Sequence, residues 1–305
     1  MSRWPLLLVT LALTTALTAR QGGTPPRGPA TVDAPRAAEA VVQFPNRDGS
    51  LKFAVLGDFG SGDKVQYELA DQMAKLHERF AFELVILVGD NLYGSERPQD
   101  FKRKFEQPYK ALLDAGVKFY ASLGNHDARE QRYYKLFNMD GKLYYSFKAP
   151  KQNVRFFALE STYPTPEQMK WVDSELKGSG EDWKIPFFHH PLYSSGEAHG
   201  SDLRLRATLE PMFEAHGVSV VFTGHDHFYE RVKPQKGIVY FVTGSGGKLR
   251  AGNIDKSTGI TARGLDTDLV FLAAEIQGDE LTFQAISRAG QVVDSGVITR
   301  RQRKP

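Results

Sequence analysis

The sequence predicts an α/β fold. Short runs of branched and aromatic apolar residues alternate with stretches whose apolar residues recur at helical spacing. The strand-like runs repeatedly break off into a polar cluster, most of them led by glycine, as strands do where they give way to loops. No cysteine occurs in the 305 residues. Stability therefore comes from a packed core, with no contribution from disulfides or thiolate-held metals.

Taken in order, Lys52 to Leu56 reads as a strand ending in Gly57-Asp58. Val65 to Phe80 carries Leu69, Met73, Leu76 and Phe80 on one helical face. Leu84 to Val88 is a continuous apolar strand ending in Gly89-Asp90. Pro98 to Ala115 is expected to be one helix, and Val117 to Ser122 a third strand ending in Gly124-Asn125-His126-Asp127. Tyr144 to Phe147 and Val154 to Leu159 alternate as strands. Pro166 to Leu176 is a helix with proline at its start. Ile185 to Phe188 and Val218 to Phe222 are strands that lead into histidine-bearing loops, with a helix from Arg204 to Ala215 between them. Beyond a strand at Val239 to Val242, the segments Leu269 to Ile276, Leu281 to Ser287 and Val292 to Ile298 read as hairpins turning at Gly278-Asp279 and Gly290.

The ends of the chain differ from this middle. Residues 1–19 have an early arginine, an apolar run from Leu6 to Leu13 and small residues at Ala16, Thr18 and Ala19. They read as a secretory signal, which implies a secreted or periplasmic protein, with an uncleaved anchor as the other reading. Residues 20–45 are rich in Pro, Gly and Ala and read as a linker. Residues 46–305 form the expected catalytic domain. The net charge of +3 is too small to argue for a nucleic-acid partner. No stable membrane partner is indicated, and the oligomeric state is open.

The polar clusters carry the chemistry: Gly57-Asp58-Phe59-Gly60, Gly89-Asp90-Asn91-Leu92-Tyr93, Gly124-Asn125-His126-Asp127, His189-His190-Pro191 and Gly224-His225-Asp226-His227. Singly, each could be a turn. Together they hold or neighbour every histidine of the chain except His77 and His216. Imidazole and carboxylate suit hard-to-borderline ions. His225 and His227 alternate by two, which points to a pair of ions. In open α/β sheets such clusters lie where sites form, beyond the carboxyl ends of the strands.

This ordered series resembles the motif set of the purple acid phosphatases, within the calcineurin-like metallophosphoesterases. The tyrosine of the Gly89–Tyr93 motif is its most specific mark. The resemblance implies a two-sheet β-sandwich flanked by helices (four layers, α/β/β/α) and the small single-domain type. It implies that Asp58, Asp90, Tyr93 and His227 hold a ferric ion. Asp90, Asn125, His189 and His225 would hold a divalent iron, zinc or manganese, with Asp90 shared. Zinc or manganese at both sites is the alternative loading. The implied function is hydrolysis of phosphate monoesters by a metal-bound hydroxide, on a small-molecule or phosphoprotein substrate. A phosphodiesterase on the same scaffold is the alternative. His126 would contact the substrate phosphate, and His199 would contact substrate or protonate the leaving group. His190 is expected to line the pocket. Asp127 and Glu230 either orient ligand histidines or make local bonds, in the case of Glu230 with Arg231. Gly244-Ser245-Gly246-Gly247 lacks the features of a phosphate loop and reads as a tight turn near the site.

Overall fold

The computed structural model describes residues 43–180 and 183–301. The expected signal segment, nearly all of the linker and the last residues of the basic tail lie outside them. In chain order the elements are β1 (Leu51–Leu56), α1 (Lys64–His77), β2 (Leu84–Val88), α2 (Pro98–Phe101), α3 (Lys110–Asp114), β3 (Lys118–Ser122), β4 (Tyr145–Lys148), β5 (Val154–Ala158), α4 (Pro166–Gly178), β6 (Trp183–Phe187), α5 (Leu203–Ala215), β7 (Val220–Thr223), β8 (Tyr229–Val232), β9 (Val239–Thr243), β10 (Thr261–Leu265), β11 (Val270–Gln277), β12 (Glu280–Ser287) and β13 (Val292–Thr299). Short 3-10 turns cover Arg129–Tyr133, Lys135–Phe137 and Lys256–Thr258.

The strands form two sheets. One runs β13-β12-β11-β1-β2-β3 and the other β10-β8-β9-β7-β6-β5-β4. In the first, β1, β2 and β3 are parallel, and the C-terminal hairpins join antiparallel through β11, with Leu51 opposite Ile276. In the second, β5, β6, β7 and β9 are parallel.

Alternation along each strand sorts side chains onto two faces. Val220 and Phe222 face the core between the sheets, while Val221 faces a second cluster. Phe53 meets Phe156 at 5.3 Å and Phe222 at 6.0 Å, ring to ring, across that inner core. Leu69, Met73 and Leu76 bring α1 onto the first sheet. Val172, Leu176, Leu205, Leu209 and Phe213 bring α4 and α5 onto the second. The result is helix, sheet, sheet, helix, as the resemblance implied.

Two features depart from the sequence-based expectation. The single helix over Pro98 to Ala115 is three pieces: α2, a π-helical turn at Lys102–Glu106, and α3. Pro108 has no amide hydrogen to continue the ladder, and the π turn places Lys104, whose ammonium donates to the carbonyls of Tyr93 and Ser95. Strands β8 and β10 were not expected. They pair with each other through a bulge, and β10 is mostly exposed, without the apolar alternation that marks a strand. At the other end, Phe44 stacks on Phe80 at 4.0 Å, so residues assigned to the linker already contact the domain.

Candidate active site

Both parallel strand sets direct their carboxyl ends to one edge of the sandwich, and the polar clusters meet there. Asp58 follows β1, Asp90 follows β2, Asn125 and His126 follow β3, His189 follows β6, and His225 and His227 follow β7. The backbone turns sharply at these points. Asp58, Asp90 and His225 have φ of +54°, +50° and +72°. This left-handed region is uncommon for residues with a side chain, and its cost is tolerated where surrounding structure imposes it. Close approach explains the preceding glycines. A Cβ on Gly124 would lie 2.1 Å from Asp90 Oδ1, and one on Gly224 2.4 Å from Asp58 Oδ2.

The side chains fall into two adjoining groups. In the first, the Tyr93 hydroxyl lies 3.1 Å from Asp58 Oδ1 and 3.1 Å from His227 Nε2. Asp58, Asp90 and His227 each offer a ligand atom, all within 4.8 Å of one another. In the second, His189 Nε2 lies 3.0 Å from Asn125 Oδ1, 3.4 Å from Asp90 Oδ1 and 3.1 Å from His225 Nδ1. Asp90 belongs to both. Two backbone bonds stitch the loops together: His225 N donates to Asp58 Oδ2 and His126 N to Asp90 Oδ1.

The donor set fits cations on electrostatic grounds. His189 Nδ1 sits 3.1 Å from the Val88 carbonyl, which can only accept, so the ring proton is there and Nε2 bears the lone pair. That lone pair faces the oxygens of Asn125 and Asp90, and a positive ion among these atoms would relieve their mutual repulsion. Burial holds the His189 imidazole well below its usual pKa. His225 is pushed down to about 2 by burial and then by neighbouring His189. Both rings are thus neutral and able to coordinate. Asp58 is fully buried, and burial followed by the charge of Asp90 raises its pKa well above the carboxylate range. No lysine or arginine pairs with Asp58 or Asp90 among the described residues.

The remaining residues line the open side. His126 is exposed, with its ring 5.1 Å from that of Tyr93. His199 is exposed, with its ring 4.2 Å from that of His225. His190 leans on Ser161, Nδ1 to Oγ 3.0 Å, and lines the pocket. Asp127 does not orient a histidine; it accepts from the amides of Asn91, Leu92 and Gly124 and so clamps two site loops. Glu230 accepts from Ser195 N and Thr261 Oγ1, whereas Arg231 pairs with Asp294 at 2.7 Å. The glycine run is a turn packed under the site: Gly246 N and Gly247 N donate to the carbonyls of Gly57 and Asp58.

Three residues were not singled out from sequence. Asp226, between two site histidines, is fully buried and holds both ends of the His199 loop, accepting from Ser194 Oγ at 2.5 Å and Gly200 N at 3.1 Å. Lys248 Nζ lies 4.9 Å over the Tyr93 ring. The Arg250 charge helps hold His227 and His199 below their usual pKa, after burial in both cases. For Lys248 and Arg250, a place just after the glycine turn was the available signal.

A family model of the calcineurin-like phosphoesterases matches residues 51–229. Purple acid phosphatase 17 of Arabidopsis thaliana is 29% identical over 246 residues, which cover 69% of this chain and 72% of that protein. Among solved structures, a purple acid phosphatase from yellow lupin seeds superposes with a TM-score of 0.68 at 18% identity, covering 85% of this chain and 55% of that one. A Plasmodium protein described as the anchor in the inner membrane complex gives 0.69 at 19%, covering 84% and 90%. Such distant likeness establishes the fold, and the function is carried by the site.

Proposed function

Because the chain belongs to the calcineurin-like phosphoesterase family, we propose that it is a phosphate-monoester hydrolase of the acid phosphatase kind, working at a two-metal centre. The observation that carries this reading is the convergence of neutral imidazoles, buried carboxylates, an amide oxygen and a phenol into two groups that share Asp90.

Asp58, Asp90, Tyr93 and His227 would hold one ion, a ferric ion in this proposal. Asp90, Asn125, His189 and His225 would hold a divalent iron, zinc or manganese. A bound pair supplies Lewis acidity toward the ester oxygens and makes water a usable nucleophile near neutral or acid pH. The chain's own residues do the rest. His189 is fixed by Val88, so its Nε2 cannot turn away. His126, on the open side, would hydrogen-bond a phosphate oxygen. His199, over His225, would contact the substrate or donate a proton to the leaving oxygen. The cations Lys248 and Arg250 at the rim favour approach of a phosphate dianion. Among the described residues no helix is long and apolar enough to cross a membrane. Export of the protein is proposed from residues 1–19 alone.

The test is hydrolysis of phenyl phosphate and of diphenyl phosphate by metal-loaded protein from acid to alkaline pH. Monoester turnover exceeding diester turnover, with an acid optimum, is the expected result. A preference for the diester would move the function to phosphodiesterase, and no turnover of either would refute it.

A further inference from the structure

Beside the site lies a cleft of about 900 Å³, within the size range of small-molecule sites, about 300–1,000 Å³. We infer that it is a second subsite, which holds the part of the substrate remote from the ester and selects a planar ring accompanied by a second negative charge. The inference rests on the phosphoesterase reading for its role in turnover, though not for the binding itself.

Its position follows from the sheet. Tyr145 in the cleft wall pairs with Ala158 of β5, Ala158 pairs with Phe187 of β6, and His189 comes two residues later. Two strand spacings, about 10 Å, combined with two residues of rise, about 7 Å, put the two backbones about 12 Å apart along the sheet, a span that one nucleotide-sized molecule covers. The opposite wall is the 3-10 turn Arg129–Tyr133, which begins three residues after His126. This turn is fastened to the site, since Gln131 Nε2 donates to Asp127 Oδ1 at 2.8 Å.

The lining is basic. Arg155 and Glu175 pair at 3.7 Å and offset each other. Arg129, Arg132 and Lys142 have no carboxylate within ion-pair distance among the described residues, and Glu130 is the remaining acid in the wall. Uncompensated cations in a recess favour an anion and disfavour an apolar guest, which would strip them of water. The lining is also aromatic, and its rings are held. Tyr133 is 65% exposed, yet it packs on Gly141, where a Cβ would lie 2.9 Å from the ring. The Arg132 guanidinium stacks 4.5 Å above Tyr133 and donates to its hydroxyl. The rings of Tyr144 and Trp171 pack at 5.1 Å, tilted by 52°. Fixed rings beside guanidinium groups are stacking surfaces for planar ligands. Binding energy gained there can be used at the ester.

The test uses the double variant Arg129→Ala/Lys142→Ala, whose exposed positions leave the core untouched, with metal-loaded protein. Calorimetric titration with naphthalene-1-sulfonate, a charged ring that cannot be hydrolysed, reads the cleft directly. Wild type should bind it, and the variant should bind at least about tenfold more weakly. Turnover is read on adenosine 3′,5′-bisphosphate and on phenyl phosphate, which is too short to reach the cleft. The variant should raise KM for the bisphosphate about tenfold while KM for phenyl phosphate moves less than twofold. Equal sulfonate binding by both proteins, or equal changes of KM on both substrates, would overturn the inference. Loss of sulfonate binding in the variant with no turnover of phenyl phosphate by wild type would support the cleft and refute the hydrolase reading instead.

Discussion

Tyr93 is the side chain that most narrows the chemistry, because its hydroxyl lies at 3.1 Å from both a buried carboxylate and an imidazole nitrogen. A phenol in that place is either a hydrogen-bond donor or a metal ligand. Tyr93→Phe separates the two. If Tyr93 is a ligand to iron, the variant loses the visible absorption of the loaded protein and keeps part of its turnover, with a loss of about tenfold, or ~1.4 kcal/mol in the barrier. An unchanged absorption spectrum would remove Tyr93 from the ligand set. At this scale the site was largely legible, since Asp58, Asp90, Tyr93 and Asn125 each stand in a short segment that follows a strand. Asp226 was not. Its role depends on Ser194, 32 positions away, and on Gly200, 26 positions away, and local sequence carries no sign of such partners.

At the scale of elements, the loop that presents Tyr93 is held from outside the site. Lys104 is 3% exposed, and its ammonium is spent on the carbonyls of Tyr93 and Ser95. The π turn aims that side chain inward, and such turns are frequent at functional sites. Lys104→Met would leave both carbonyls without their donor, at about 1–3 kcal/mol each. Urea unfolding should show a loss of about 2–6 kcal/mol, with weaker retention of the metal beside Tyr93. A change below about 0.5 kcal/mol, the range of ordinary surface substitutions, would show that the carbonyls find other partners. The expected long helix failed here because Pro108 interrupts it and because the π turn is set by this tertiary bond. Strand β10 escaped notice for a related reason: its register comes from β8, and its own residues are mostly exposed.

At the scale of the whole molecule, the site exists because two parallel strand sets from different sheets end at the same edge. Asp58, Asp90 and Asn125 come from one sheet, and His189, His225 and His227 from the other. Individual strands could be read from their apolar runs, whereas their division into two sheets was implied only by family resemblance. Contacts such as Leu51 with Ile276 join segments too far apart for periodicity to connect. The shared carboxylate of Asp90 links the two halves, and in the proposed centre both ions would be held through it. The most direct measurement is elemental analysis of purified, metal-loaded protein for wild type, Asp90→Ala, His189→Ala and His227→Ala, with circular dichroism confirming the fold. Wild type should carry about two ions per chain, each histidine variant about one and Asp90→Ala almost none, as a two-metal site requires. A wild type that holds a single ion, or an Asp90→Ala protein that keeps its full metal content, would contradict it.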